Sequence, residues 1–212
     1  MLHTPRHLEA AARLSSLKHK SEEGKQRQDS LRARFQALAD RKPWQDTVIT
    51  SDNLFPTPPD LAARMASMLA LQYGHNVLEP SCGTGRLLDA IAPHVEPLRL
   101  TVDACDISPQ LVQHCLDRFH WLDARRSDFL DYGTAAAYDR IIMNPPFRRG
   151  LDVKHILHAR TLLANGGRIV ALCYHGAKQQ ALRPICSQWE PIAGAFTSEG
   201  TQAEVVLLVI DN

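Results

Sequence analysis

The sequence lacks any long apolar run. Nothing in it approaches the roughly 18 consecutive apolar residues that a membrane-spanning helix needs, so no membrane partner is expected. The first residues, Met1-Leu2-His3-Thr4-Pro5-Arg6, hold no apolar signal core, which points to a cytoplasmic protein. Five cysteines (Cys82, Cys105, Cys115, Cys173 and Cys186) form no Cys-x-x-Cys pair, and their odd number argues against a complete disulfide framework. Buried or incidental thiols are the expectation, and no metal site is expected. Internal repeats and low-complexity tracts are also missing. An excess of charge of one sign is nearly absent, with a net of +1, and that balance alone does not identify a partner.

What is present is ordinary for a globular chain: 212 residues, 44% hydrophobic and 22% charged. That length suits one domain with a substantial core and a short appendage. The charge is unevenly spread. Residues 1–42 hold ten of the 24 Lys and Arg but only five of the 23 Asp and Glu. The same stretch reads as one or two helices over 7–41. Leu14, Leu17, Leu31, Phe35 and Leu38 recur at three- and four-residue steps, Gly24 divides the segment, and Pro43 ends it. Its apolar stripe is thin. A basic helical N-terminal extension of this kind suits contact with nucleic-acid phosphates, docking on a protein partner, or a homodimer.

From Val48 the pattern changes. Apolar runs at 77–79, 98–105, 125–130, 138–143, 168–174 and 204–210 read as strands, with 191–196 pairing beside the last. Helical stretches at 58–72, 84–92, 108–118, 151–164 and 176–188 lie between them. Alternation of this kind predicts an α/β domain over 43–212 with a mostly parallel sheet. Ligands of such sheets bind beyond the carboxyl ends of the strands.

The chemistry-bearing residues sit at those strand ends. Val77-Leu78-Glu79-Pro80-Ser81-Cys82-Gly83-Thr84-Gly85 runs from strand through a glycine turn, whose missing side chains let the backbone approach a ligand. Asp106 ends the next run about 20 residues later, a spacing suited to holding ribose hydroxyls, while Ser108 and Pro109 suit a helix start. Ser127-Asp128-Phe129-Leu130 is uninformative alone. Asn144-Pro145-Pro146-Phe147 is not. Two prolines after a buried strand fix a rigid extended turn, the Asn offers a side-chain carbonyl, and the Phe a flat face. Together they suit a planar ring that bears an amino group.

Asn-Pro-Pro-Phe, following a glycine turn and an acidic strand end, resembles the class I S-adenosylmethionine (SAM)-dependent adenine-N6 methyltransferases. Phe55-Pro56-Thr57-Pro58 matches the Phe-x-Thr-Pro element of many DNA members, and the motif order looks like the gamma arrangement. The resemblance covers roughly residues 48–210. It implies a Rossmann-like seven-stranded methyltransferase sheet, mostly parallel with an antiparallel C-terminal strand, and methyl transfer from SAM to the N6 amino group of adenine.

Residue by residue, the resemblance implies that Phe55, Thr57 and Pro58 flank the methionine part of SAM, and that Glu79, Pro80, Gly83 and Gly85 line its amino-acid and sulfonium region. Asp106 would hold the ribose, Ile107 would pack on the cofactor's adenine, and Asp128 would accept from that adenine's amino group with Phe129 beside it. Asn144 and the Pro145 carbonyl would bind the target amino group, with Pro146 stiffening the turn and Phe147 stacking on the base. Arg148 and Arg149 follow as candidates for nucleic-acid phosphates. Cys82 departs from the smaller residue common at its place.

Little of the chain is left over for target recognition beyond 174–190 and the loop after Phe147, so relaxed sequence specificity is expected. Phe-x-Thr-Pro tilts the substrate toward DNA without excluding RNA. Two further readings remain open: a protein glutamine methyltransferase, for which Tyr is favoured where Phe147 stands, and a non-catalytic subunit, which the intact Asn144, Pro145 and Phe147 oppose.

Overall fold

The computed structural model describes residues 55–133, 138–197 and 204–212. The basic helical extension expected over 1–42 lies outside the described residues, as do any contacts it makes. Among the described residues no helix is long and apolar enough to cross a membrane.

The described chain alternates helix and strand. In order it forms α1 (Pro59–Met68), β1 (Asn76–Glu79), α2 (Arg86–Val95), β2 (Thr101–Asp106), α3 (Pro109–Arg118), β3 (Leu122–Arg126), β4 (Tyr138–Met143), α4 (Leu151–Thr161), β5 (Leu163–Tyr174), β6 (Gln188–Ile192) and β7 (Val205–Asp211). The strands form one seven-stranded sheet in the order β3-β2-β1-β4-β5-β7-β6. β1, β2, β3, β4 and β5 pair in parallel; β7 pairs antiparallel with both β5 and β6, so β7 alone runs against the rest. This is the mostly parallel α/β sheet that the strand and helix alternation predicts, with the seven strands and the antiparallel strand near the C-terminus that the family resemblance implies.

Burial on both faces explains why the inner strands are near-continuous apolar runs. Val77, Val102, Ile142, Val170, Leu172 and Leu207 point to the face covered by α1 and α2, through Met65, Leu88 and Ile91. Their neighbours Leu78, Cys105, Ile141, Met143, Ala171 and Leu208 point to the opposite face, against Ile156 and Ala159 of α4. Strand order reverses between β1 and β4, which pair through Val77 with Arg140 and Leu78 with Ile141. The crevice beyond their carboxyl ends is the switch point at which such sheets take ligands.

Several boundaries differ from the sequence expectation. The run at 98–105 starts as a strand only at Thr101, because Leu98 and Leu100 donate back to His94 and Val95 and close the end of α2. β3 lies earlier than 125–130: it ends at Arg126, and Asp128 then caps a single three-ten turn, Phe129–Asp131. β5 begins before Arg168, with a slip in its pairing to β4 between Tyr138 and Arg140. The edge strand β6 precedes the expected 191–196, whose last residues form a turn. The stretch 176–188 is not an α-helix but three-ten turns over Gln179–Ile185, since Pro184 inside it removes a donor.

One core group ties stability to pH. His155 on α4 is 7% exposed, its Nδ1 has no hydrogen-bond partner, and its ring lies edge-on to Phe129 at 5.4 Å. Burial holds its pKa below the ordinary 6.5, so the folded protein keeps it neutral. The unfolded chain takes up a proton there as pH falls through about 6.5 and the folded chain does not, so stability falls on the acid side. Urea unfolding between about pH 7.5 and 5.5 should show the wild type losing more stability than His155→Gln; equal slopes would remove His155 from the account.

Candidate active site

The glycine turn is built from its own bonds and from α3. Gly85 N–H donates to the Cys82 carbonyl at 2.7 Å, and Cys82 N–H to the Cys105 carbonyl at 3.0 Å. Gly85 has φ +82°, and a Cβ there would stand 2.8 Å from Phe119 Cε2 and 3.3 Å from Cys115 Sγ. Its lack of a side chain therefore serves packing against α3, where the sequence expectation was approach to a ligand. Arg118 continues this brace, donating to the Thr84 carbonyl at 2.7 Å and Asp89 at 2.6 Å, with its guanidinium over the Phe119 ring. Two thiols complete it: Cys115 Sγ donates to the Gly83 carbonyl at 3.4 Å and Cys105 Sγ to the Pro80 carbonyl at 3.3 Å. Burial pushes the Cys105 thiol up to about 12, so it stays a donor at neutral pH.

Asp106 ties β2 to this turn. Its Oδ2 accepts from Gly83 N–H at 3.0 Å and its Oδ1 from Ser108 N–H at 2.9 Å. Burial raises its pKa while the Ser108, Gly83 and Ile107 amides oppose that rise. A carboxylate has about four acceptor positions, so two bonds leave capacity for ligand hydroxyls. Ser108 caps α3 through its hydroxyl, which accepts from Leu111 N–H at 3.4 Å, and Pro109 occupies the first turn. Ile107 follows with 66% of its surface exposed, an apolar side chain waiting beside a carboxylate.

Glu79 ends β1 at 2% exposure, and its Oε2 has no hydrogen-bond partner. Burial, reinforced by Cys115, Asp106 and Asp89, pushes this carboxyl well above the usual carboxylate range. An orphaned buried carboxyl oxygen is costly, and a cationic ligand group would relieve that cost.

Asn144 directly follows β4 and is pinned by the segment that enters α1. Its Nδ2 donates to the Phe55 carbonyl at 3.1 Å and to Thr57 Oγ1 at 3.0 Å, across 89 and 87 residues of chain. A backbone carbonyl can only accept, which fixes the amide with its nitrogen toward Phe55 and its oxygen turned away. Thr57 is buried, Pro58 and Pro59 open α1, and Phe55 stays 41% exposed. Pro145 is buried and Pro146 half-buried. The half-buried Phe147 meets the fully buried Phe196 edge-on, with ring centres 6.2 Å apart. Phe196 was not legible as a site residue; it sits in a turn after β6 and reveals itself only by contact. Arg148 and Arg149 are exposed in the three-ten turn Arg148–Gly150 that leads into α4.

The structure thus gathers Phe55, Thr57, Pro58, Glu79, Pro80, Gly83, Asp106, Ile107, Asn144, Pro145, Pro146 and Phe147 at one end of the sheet, at or beyond the carboxyl ends of β1, β2 and β4. Asp128 is exposed at the end of β3, with Oδ1 accepting from Leu130 N–H at 3.0 Å. Phe129 departs from its expected place beside a ligand. Its ring is buried among Tyr132, His155 and His158, so only its backbone remains for a ligand. Its apolar ring is better satisfied against α4 than at a solvent-facing pocket.

Comparison with known families gives a match to the methyltransferase small domain over residues 48–193. The chain belongs to the methyltransferase small domain family. Among curated proteins it is similar to the Type II methyltransferase M.TthHB8I of Thermus thermophilus, at 34% identity over 92 residues. That stretch is 43% of this chain but 20% of the relative, so the chain spans only a part of its length. Among solved structures it resembles TrmN from Thermus thermophilus, with 23% identity and TM-score 0.57 over 73% of this chain and 49% of that one. It also resembles the methyltransferase subunit of a type I restriction-modification system from Streptococcus thermophilus, with 16% identity and TM-score 0.59 over 74% and 44% of the two chains. These likenesses establish the fold.

Membership of the methyltransferase small domain family makes SAM the cofactor. The residues present fit it: an unpartnered buried Glu79 oxygen for a cationic group, spare acceptor capacity on Asp106 for hydroxyls, and an exposed Ile107 for a flat ring.

Proposed function

We propose that this protein methylates the exocyclic N6 amino group of adenine in DNA, with relaxed sequence specificity. The observation that carries the proposal is the orientation of Asn144. Both of its amide hydrogens are spent on Phe55 and Thr57, which leaves its carbonyl oxygen as an acceptor beside the rigid Pro145-Pro146 turn. The similarity of 92 residues to M.TthHB8I supports a nucleic-acid substrate.

When bound, SAM would supply an electrophilic methyl group on a sulfonium: the S–C bond breaks as the N–C bond forms, the neutral thioether S-adenosylhomocysteine leaves, and the methylated nitrogen gives up one proton to solvent. The chain's own task is to make a poor nucleophile competent. The lone pair of adenine's amino group is delocalised into the ring. Two acceptors, Asn144 Oδ1 and the Pro145 carbonyl, draw the two N–H bonds out of the ring plane and direct the lone pair toward the methyl. Catalysis on this reading is positioning and electrostatics. Extracting the base from a duplex costs a few kcal/mol, and stacking on Phe147 returns about 1–3 kcal/mol. Phe196 holds that ring edge-on from behind.

Relaxed specificity follows from how little of the described chain is free to read a sequence. The three-ten turns after β5 are short and pinned through the buried Gln179 and Leu182, so they present a few exposed side chains and no separate recognition domain.

The test supplies purified protein with methyl-labelled SAM and, separately, duplex DNA, single-stranded DNA, RNA and a glutamine-containing protein extract. Label on adenine N6 of DNA in many sequence contexts is the expected result. Label confined to RNA or protein would reassign the substrate, and a single strict DNA context would overturn the relaxed specificity.

A further inference from the structure

Five large apolar or aromatic side chains are exposed among the described residues: Phe55, Tyr73, Ile107, Leu157 and Tyr174. Phe55 and Ile107 belong to the cofactor side of the site. Tyr73 precedes β1 at the opposite end of the sheet, with Arg99 over its ring, and Leu157 lies on the outer face of α4. Tyr174 remains. It closes β5 at the same end of the sheet as Asn144, is 45% exposed, and has no part in the chemistry described so far.

Its place is well defined. Along β5, Val170 and Leu172 face α1 and α2, so alternation puts Tyr174 on that same face, the one Phe147 packs against. The last paired rung between β4 and β5 joins Met143 to Ala171. Tyr174 therefore lies three residues past that rung on one strand, as Pro146 does on the other. The backbone is anchored: Tyr174 N–H donates at 2.9 Å to Oδ2 of Asp152, which is buried at the start of α4. The same carboxylate accepts from Gln179 Nε2 at 3.1 and 2.9 Å, so the loop after β5 is fastened to the turn that carries Arg148 and Arg149. The ring is braced too. A Cβ at Gly176 would meet Tyr174 Cδ1 at 3.0 Å and Cε1 at 3.2 Å, so the ring lies directly against a glycine with no side chain between them.

Cations lie on the loops that leave this end of the sheet, after β5 and after β4. Lys178 is exposed, and its Cδ would lie 3.6 Å from a Cβ at Gly150, so its stem crosses the turn that bears Arg148 and Arg149. Arg149 holds φ +56°, a left-handed conformation uncommon for a non-glycine residue and often kept where a side chain must be aimed. Two acidic groups lie nearby: Asp152 is buried and already bonded, and Glu204, which precedes the β7 residue paired with Tyr174, stands 3.5 Å from His175 Nδ1. An exposed ring at a strand end, with exposed cations on the two loops that leave that end, matches a base with its flanking phosphates.

Resting on the nucleic-acid reading of the site, we infer that Tyr174 and Lys178 hold the nucleotide next to the target base. The Tyr174 ring carries that neighbour's base, and Lys178 contacts its phosphate.

The full chain, saturated with S-adenosylhomocysteine, would be titrated with single-stranded oligonucleotides that contain one adenine and carry a normal or an abasic residue on its 5′ or 3′ side. The wild type should bind about 10-fold more weakly when the abasic residue falls on one particular side. Tyr174→Ala should bind the intact oligonucleotide about 10-fold more weakly and lose that discrimination, while Tyr174→Phe keeps it. Lys178→Ala should lower the slope of log affinity against log salt by a little under one unit. Unchanged affinity for S-adenosylhomocysteine shows that each variant is folded. Discrimination that persists in Tyr174→Ala, with adenine methylation intact in the wild type, overturns this inference and leaves the proposed reaction standing. A wild type that binds the cofactor but neither binds nor methylates any polymer overturns both.

Discussion

Asn144→Ala slows methyl transfer by about 10²- to 10³-fold in a single-turnover assay at saturating SAM. That is the range lost when one preorganised polar contact to a reacting group is removed. The substitution deletes the side-chain acceptor and also the donors that hold the Phe55 carbonyl and Thr57 Oγ1. Saturating cofactor removes any weakening of SAM binding that comes from loosening Phe55, so the rate reads the target side alone. Asn144→Asp separates the two functions. It keeps an oxygen for the target amino group but sets a carboxylate against the Phe55 carbonyl, where an N–H donor stood. Its loss should be intermediate, and its SAM affinity should fall more than that of Asn144→Ala. A transfer rate for Asn144→Ala within a few-fold of the wild type would remove Asn144 from the chemistry and the proposed reaction with it.

Gly85→Ala destabilises the protein by about 2–5 kcal/mol, as the sum of two effects. A non-glycine residue in the left-handed region costs about 1–2 kcal/mol, and forcing a methyl into a packed site costs about 1–3 kcal/mol. Gly85 has φ +82°, and the added Cβ would come within 2.8 Å of a Phe119 ring carbon. The ring has little room to retreat: it is buried, lies 5.1 Å from the Trp121 ring, and sits under the Arg118 guanidinium. Urea midpoints measure the stability, and S-adenosylhomocysteine affinity measures the turn. Both should fall, because Arg118 and Cys115 hold the turn as well as the ring. Phe119→Leu in the same background should recover part of the stability by making space. A midpoint equal to the wild type would show that α3 does not constrain the turn as the contacts require.

The inner strands and their ends are legible in the sequence because they are buried on two sides. Val77-Leu78, Ala104-Cys105 and Ile141-Ile142-Met143 are apolar up to the end of each strand, so Glu79, Asp106 and Asn144 are marked as the residues where each run stops. β3 is not legible in this way. It is an edge strand with Asp123, Arg125 and Arg126 exposed, so no apolar run announces it, and the Asp128 cap makes the following residues turn away. The three-ten turns at Gln179–Ile185 have a helical apolar spacing, yet Pro184 denies them an α-helix. What binds the site together leaves even less local trace. Asn144 with Thr57, Gly83 with Asp106, and Phe147 with Phe196 join residues that only the folded sheet brings close. The role of Gly85 is instructive in the same way: a glycine that reads as room for a ligand is room for a phenylalanine ring.

The reversed strand has a consequence for the order in which the chain completes itself. β1 and β2 each pair with the strand that follows in the chain, so β1, β2 and β3, with Glu79 and Asp106, can join as soon as residue 126 has been made. β4 closes the seam against β1, and β5 then adds beside β4. The outer edge of β5 must wait, because its partner β7 follows β6 in the chain, and β6 itself can pair only with β7. Until Val205–Asp211 emerges, an apolar strand stands with its backbone groups uncovered next to the side of the crevice proposed to take the target base. During synthesis the half of the molecule that would grip the cofactor is assembled early. The half that would grip the substrate is sealed by the last strand, all at once and from the outside.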